Sequence, residues 1–101
     1  MRGVAMARDD DHGAAVMLTG HQIAAARRLA GITRQSDLAK LAEVSRVTVE
    51  RAEQAGANVP SMNTTAMTQI VRALEQAGIE FYVDRGASLV GGVGMRLRAG
   101  G

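Results

Sequence analysis

The sequence predicts a mainly α-helical domain that ends in a short β-hairpin or strand pair. Aromatic residues make up only 2% of the 101 residues. The core therefore has to be built from Ala, Leu, Val, Ile and Met, which suits close-packed short helices. Apolar residues recur at three- and four-residue spacing between residues 19 and 78, as on one face of an amphipathic helix. After Gly78 the pattern alternates at residues 79–83 and again at residues 95–98, which predicts two strands.

The chain length predicts one domain with a modest core, divided into three parts. Residues 1–16 show no sustained apolar period and contain a run of Asp residues, so we expect a flexible leader. Residues 17–78 carry the helical pattern. Residues 79–101 carry the strands, and two strands alone are marginal in water. We therefore expect a helix face or a second subunit to cover them.

Composition excludes several classes of protein. The chain has no Cys, which removes disulfides, thiolate zinc sites and cysteine nucleophiles. Apolar runs stay far below the ~20 residues that span a bilayer, and charged residues stand where a signal peptide needs an apolar stretch. We therefore expect a cytoplasmic protein.

Metal and catalytic chemistry find no support in the pattern either. His12 and His21 have no partner ligands at metal spacing, and the acidic run at residues 9–11 lacks the glycine and distal glutamate of a calcium loop. A nucleophile with its base and orienting group cannot be assembled. We expect no enzyme, no metal and no cofactor.

Capping signals bound each predicted helix. The expected N-terminal caps are Thr19-Gly20 for the first helix, Thr33 for the second, Ser45 for the third, and Asn63 or Thr64 for the fourth. Gly31 ends the first helix and Gly78 ends the fourth. The expected inward-facing residues are Ile23, Ala26, Arg27, Ala30, Leu38, Leu41, Ala42, Val49, Ala52, Met67, Ile70, Val71, Leu74 and Ala77.

The connection between the second and third predicted helices is so short that only a sharp turn fits. Glu43-Val44 forms this connection, and the small side chain of Ala39 lies where the two helices must approach closely. Residues 45–53 form the third helix. Its outward side chains are Arg46, Val47, Glu50 and Arg51. Two helices arranged in this way let the second enter a DNA major groove while the first crosses the backbone.

Charge adds only weak support for a nucleic-acid partner. The formal net charge is +2. Between residues 27 and 51, six basic residues accompany three acidic ones. A mixed, solvated surface explains this balance equally well.

The residues of this segment resemble the helix-turn-helix of the Xre family, the phage Cro and repressor-like regulators. The matching positions are Gln35, Leu38, Ala39, Val44, Ser45, Thr48, Val49 and Glu53. The resemblance covers residues 19–77 and implies a four-to-five-helix lambda-repressor-like domain. Three features depart from the family pattern. One extra residue lies between Gly31 and Gln35, and Glu43 replaces the usual turn glycine, which costs strain if that position needs positive φ. Ala55-Gly56 shifts the usual glycine after the third helix by one residue.

The resemblance implies roles for individual side chains. Gln35 resembles the glutamine that hydrogen-bonds a phosphate, and Ser45 is expected at a phosphate or the groove edge. Thr48 is placed on the backbone side. The base-facing positions are Arg46, Val47 and Arg51.

The remaining charged residues of this segment have either a DNA-contacting or a structural role. Glu50 either accepts a hydrogen bond from cytosine N4 or orients Arg46 or Arg51. Without the resemblance, exposed arginines are ordinary solvated charges. Arg27 and Glu53 are implied to form a buried ion pair that clamps the first helix to the third.

The function implied is a sequence-specific transcriptional regulator, a repressor or autoregulator. It would bind double-stranded DNA as a homodimer at half-sites ~34–36 Å apart. The hairpin is the expected dimer surface, with packing on the fourth helix of the same chain as the alternative. The hairpin residues concerned are Ile79, Phe81, Val83, Met95 and Leu97.

Two other functions fit the same pattern. An antitoxin would bind a toxin through the leader or the hairpin and use DNA binding for autoregulation. A purely protein-binding module is a weaker option. Salt-dependent binding to duplex DNA separates the regulator and the antitoxin from such a module.

Overall fold

A computed structural model of the chain describes residues 16–83 and 93–98. The elements are α1 (Gly20–Leu29), α2 (Gln35–Ala42), α3 (Arg46–Gln54), α4 (Thr64–Gln76), β1 (Ile79–Val83) and β2 (Val93–Leu97). Four helices followed by an antiparallel strand pair in this part of the chain confirm the predicted mainly helical class. The expected leader up to residue 15, with His12 and the acidic run, lies outside the described residues.

Three of the helices begin at side-chain caps. Thr19 and Gln22 form a reciprocal capping box at α1, in which each side chain accepts from the backbone N–H of the other. Ser45 caps α3, and Asn63 caps α4 by accepting from the N–H of Ala66. These caps satisfy N–H groups that a helix start leaves without intrahelical partners.

The cap expected for α2 is wrong by one residue. Arg34, in extended conformation, is the N-cap and makes no side-chain cap hydrogen bond. Thr33 stands one position too early, and its carbonyl oxygen instead accepts from Nη1 of Arg27 at 2.7 Å. Because Arg34 separates Thr33 from Gln35, the threonine does not occupy the N-cap position of α2.

The core lies between the four helices and one face of the hairpin. Helix α2 packs on α3 and α4, α1 packs on α3 and β2, and α4 packs on β1. The largest fully buried side chains are Leu18, Ile23, Leu38, Val49, Met67, Ile70, Val71, Leu74 and Ile79. Val16, expected in the leader, is also buried in this core, so at least this residue of the expected leader belongs to the packed structure.

Leu41 was expected to face inward and is exposed. The buried residues of α2 are Leu38, Ala39 and Ala42. At about 100° per residue, Leu41 lies roughly 100° around the helix from the middle of that stripe. Ala39, which allows the close approach to α3, occupies the buried position in its place.

The hairpin packs one face on its own chain. Ile79 and Phe81 are buried in the core, and Met95, the partner of Phe81 in the register, packs against it. These three side chains therefore pack within their own chain, which was the alternative to a dimer surface. Leu97, opposite Ile79, is exposed. The side chain of Val83 lies outside the described part of the structure.

The outer face of the hairpin is polar and partly aromatic. Glu80 and Arg96 are cross-strand partners joined by an ion pair of 2.8 Å. Tyr82 lies over its partner Gly94, where an added Cβ would come within 2.6 Å of the ring. Within the described ranges, no helix combines the length and apolar character needed to cross a bilayer.

Candidate functional site

The connection between α2 and α3 is a sharp turn centred on Glu43. This residue has φ 59° and ψ 42°, the left-handed conformation. Its N–H reaches the carbonyl oxygen of Lys40, and the N–H of Val44 donates to that of Ala39 at 3.0 Å. A non-glycine residue in this conformation carries a penalty of about 1 kcal/mol, because Cβ crowds the backbone. The position where the resemblance has glycine is thus the one that needs positive φ.

Helix α3 starts immediately after this turn, at a two-hydroxyl cap. The Oγ of Ser45 accepts from the N–H of Thr48 at 3.0 Å, and the two hydroxyl oxygens are 2.8 Å apart. Ser45 is exposed and Thr48 is half-buried. The cap fixes where α3 begins and keeps a hydroxyl at the surface beside its first turn.

The two sides of α3 differ sharply in burial. Val49 and Ala52 are buried and anchor the helix on the core. The expected readout residues share the opposite side: Arg46, Val47, Glu50 and Arg51. Val47 is 40% exposed, which is high for an apolar side chain. An apolar group between charged neighbours gives this side a mixed chemistry.

Glu50 pairs with one of the two arginines. The Nη1 of Arg46 donates to Oε1 of Glu50 at 2.9 Å, with 54% and 37% of the two side chains exposed. Arg51 is exposed and has no ion pair within the described ranges. Of the two orienting roles open to Glu50, the geometry therefore favours Arg46.

A buried ion pair lies directly beneath α3. The Nε of Arg27 donates to Oε2 of Glu53 at 2.7 Å, and the two side chains are only 6% and 8% exposed. The Nη1 of Arg27 also donates to the carbonyl oxygens of Ile32 and Thr33. The charge of Glu53 is thus compensated by a guanidinium that is itself held by backbone, which fixes α3 relative to α1.

Gln35, the first residue of α2, belongs to the same network. Its Nε2 donates to Oε1 of Glu53 at 2.9 Å. The resemblance implies a phosphate contact for Gln35 and gives no sign of this internal contact. An amide nitrogen carries two N–H groups, so donation to Glu53 is compatible with a second donation outward. Gln35 links the position of α2 to that of α3.

A groove of about 360 Å³ borders α3 on the side of the following loop. Its lining residues are Thr48, Arg51, Ala52, Ala55, Pro60, Ser61 and Met62. The hydroxyl-bearing Ser61 was not among the predicted site residues, because the loop carries no periodicity that would assign it a face. In this groove Thr48 and Ser61 accompany Arg51 along a lining that is otherwise apolar.

Metal-ligating side chains do not gather in the described ranges. No group of three or more His, Asp or Glu there is arranged to hold a metal ion. His21 is exposed at the start of α1, where its ring lies beside Gly56.

Comparisons with known proteins leave the family of the chain open. No protein-family model matches it, and no curated protein matches it. Any proposal of function therefore has to rest on the geometry of α2, the Glu43 turn and α3.

Proposed function

We propose that this protein is a sequence-specific DNA-binding transcriptional regulator that acts in the cytoplasm as a repressor or autoregulator. In this proposal α2, the turn at Glu43 and α3 form a lambda-repressor-like helix-turn-helix. The observation that carries the proposal is the difference between the buried and the exposed side of α3. Its inner side is clamped by Val49, Ala52 and the Arg27–Glu53 pair, while its outer side exposes arginines around an apolar side chain.

A rigid helix with such an outer face suits the major groove of B-DNA, which is about 12 Å wide and admits one α-helix. Helix α2 then crosses the sugar–phosphate backbone, and the first turns of α3 meet the base edges. The buried clamp matters here, because base contacts depend on a helix that cannot shift on its core.

The base contacts follow from side-chain chemistry. Arg46 and Arg51 present forked N–H groups that suit O6 and N7 of guanine, and each such contact contributes ~1–3 kcal/mol of discrimination. Val47 suits the C5-methyl group of thymine. Glu50 acts through its ion pair with Arg46.

The phosphate contacts come from the edges of the same unit. Ser45 places its exposed hydroxyl at the start of α3, with Thr48 beside it. Gln35 offers its second amide N–H at the start of α2. These contacts set register on the duplex without reading sequence.

A homodimer completes the proposal. One module of this size buries too little surface on DNA for tight and selective binding, so two copies at half-sites one helical turn apart are needed. The packing of Ile79 and Phe81 within their own chain limits the hairpin surface for a partner to its exposed side chains. Among the hairpin side chains that the structure describes, the large exposed apolar ones are Tyr82 and Leu97, which lie on opposite faces of the strand pair.

The same exposed residues favour a second candidate, an antitoxin that combines DNA binding with capture of a toxin. Tyr82 and Leu97 would then contact the toxin. Unchanged toxin affinity in a Tyr82→Ala, Leu97→Ala variant would contradict this use of the hairpin.

The test of DNA binding is selection of duplexes from a random pool, followed by titration of the selected duplex at several salt concentrations. We expect one preferred sequence with two half-sites and a negative slope of log affinity against log salt. Arg46→Ala and Arg51→Ala should each relax preference at one base pair. A slope near zero would contradict DNA binding. An equal loss of affinity for every sequence would reassign the two arginines to phosphates.

A further inference from the structure

We propose that Arg46 and Glu50 act as one reading unit, in which Glu50 withholds Arg46 from phosphates and directs it to a guanine. The inference rests on the proposed DNA-binding function and adds a specificity mechanism to it. Arg46 supplies the hydrogen-bond donors of this unit. Glu50 is a positioning residue that acts through Arg46.

Helix stability does not account for this pair. Arg46 is the first residue of α3, at the positive end of the helix dipole, and the first turn holds no acidic residue to offset it. Arg before Glu at four-residue spacing is also the less favourable order for such a pair. The pair is exposed, and exposed ion pairs contribute little to folding. A charge that opposes the local rules for a helix start is typical of a functional position.

The contact geometry leaves Arg46 able to read a base. One Nη1–H donates to Oε1 of Glu50 at 2.9 Å, and a guanidinium has further N–H groups in the same plane. Guanine recognition needs two of these, directed at O6 and N7. Glu50 therefore restricts the rotation of the guanidinium without occupying its whole fork.

The carboxylate also changes which anions Arg46 attracts. An arginine free of acidic neighbours gains affinity for any phosphate by releasing condensed counterions. The carboxylate of Glu50 cancels this gain because it repels the same phosphate. Guanine O6 and N7 carry no net charge, so a base edge is not repelled in the same way. Arg51, without an ion pair among the described residues, keeps its attraction for phosphates.

The test compares Glu50→Gln with Glu75→Gln. Glu75, on α4, provides a matched control, because its substitution makes the same change in net charge away from α3. On a non-selected duplex at about 0.1 M salt, we expect Glu50→Gln to bind ~5- to 10-fold more tightly, with a salt slope steeper by about 0.9. Glu75→Gln should change affinity less than about twofold. The ratio of specific to non-specific affinity should fall only in Glu50→Gln.

A second measurement changes the DNA and does not require substitution of an acidic residue. A selected duplex with 7-deazaguanine in place of one guanine lacks the N7 acceptor at that base pair. We expect the wild-type chain to lose ~5-fold or more at each guanine that an arginine reads, and Arg46→Ala to lose nothing further at one of these positions, the one that Arg46 reads.

The outcomes separate the two proposals. Wild-type binding that does not depend on salt overturns DNA binding and the reading unit together. Selective wild-type binding, with Glu50→Gln equal to Glu75→Gln, overturns the reading unit alone. The reading unit alone is also overturned if Arg46→Ala is sensitive to 7-deazaguanine at every position where the wild-type chain is sensitive.

Discussion

Arg27 and Glu53 are 26 positions apart in the chain and meet in a bidentate ion pair of 2.7 and 3.2 Å beneath α3. Both side chains are over nine-tenths buried. Gln35 donates to the same carboxylate, so one group holds α1, α2 and α3 together. The pair thus sets the position of the face that carries Arg46 and Val47.

Glu53→Ala is expected to destabilise the domain by ~3–5 kcal/mol, because it leaves the buried guanidinium of Arg27 without its counter-charge. The free energy of unfolding in urea, followed by far-UV circular dichroism, measures this loss. DNA binding should disappear only where the fold does.

Two variants control that experiment. Glu50→Ala removes an exposed carboxylate from the same helix and should change stability by less than ~0.5–1 kcal/mol. The double variant Arg27→Met, Glu53→Leu removes both charges and should recover most of the loss. Native-like stability in Glu53→Ala would contradict the structural role of the pair.

Glu43→Gly is expected to stabilise the protein by about 0.5–1 kcal/mol. Glycine removes the crowding of Cβ at φ 59°, and this gain exceeds the extra entropy that glycine adds to the unfolded chain. Urea unfolding gives the difference directly.

Lys40→Gly supplies the matched control for Glu43→Gly. Lys40 is exposed within α2, in the right-handed region, and glycine there should cost about 1 kcal/mol. If Glu43→Gly and Lys40→Gly destabilise the protein equally, the positive φ of Glu43 does not strain the turn.

Gly20→Ala is expected to destabilise by about 2–3 kcal/mol through a backbone clash. A Cβ at Gly20 would lie 2.6 Å from the carbonyl oxygens of Ala52 and Glu53 and from the amide nitrogen of Gly56. The N–H groups of Gly20 and His21, which donate to the segment after α3, should exchange faster in the variant. Wild-type stability with unchanged amide protection would refute the close approach.

The helical fold was largely predictable because apolar spacing and capping residues act locally. Thr19 and Ser45 mark the starts of α1 and α3, where short-range hydrogen bonds decide the boundary. Leu41 was misplaced because periodicity alone cannot choose between it and Ala39 for the buried position. That choice depends on how closely α3 approaches, which is a tertiary property.

The site was predictable in outline only. The four outward side chains of α3 follow from helix geometry once Val49 and Ala52 are known to be buried. The donation from Gln35 to Glu53 depends on the crossing of two helices. The backbone approach at Gly20 depends on tertiary contact in the same way, and a glycine beside a capping threonine gives no local sign of it.

Ser45→Asp separates the two roles of Ser45, the helix cap and the proposed phosphate contact. Asp caps helices as well as Ser, and its charge suits the start of α3, so stability should stay within ~0.5 kcal/mol of wild type or rise. The same carboxylate should repel a phosphate and weaken binding to the selected duplex by about tenfold at 0.1 M salt. Ser45→Ala should instead lose ~1 kcal/mol of stability with its cap. Gln76→Glu adds an equal charge at the last residue of α4 and should leave DNA affinity nearly unchanged. If Ser45→Asp keeps both wild-type stability and wild-type affinity, the start of α3 does not face the phosphate backbone.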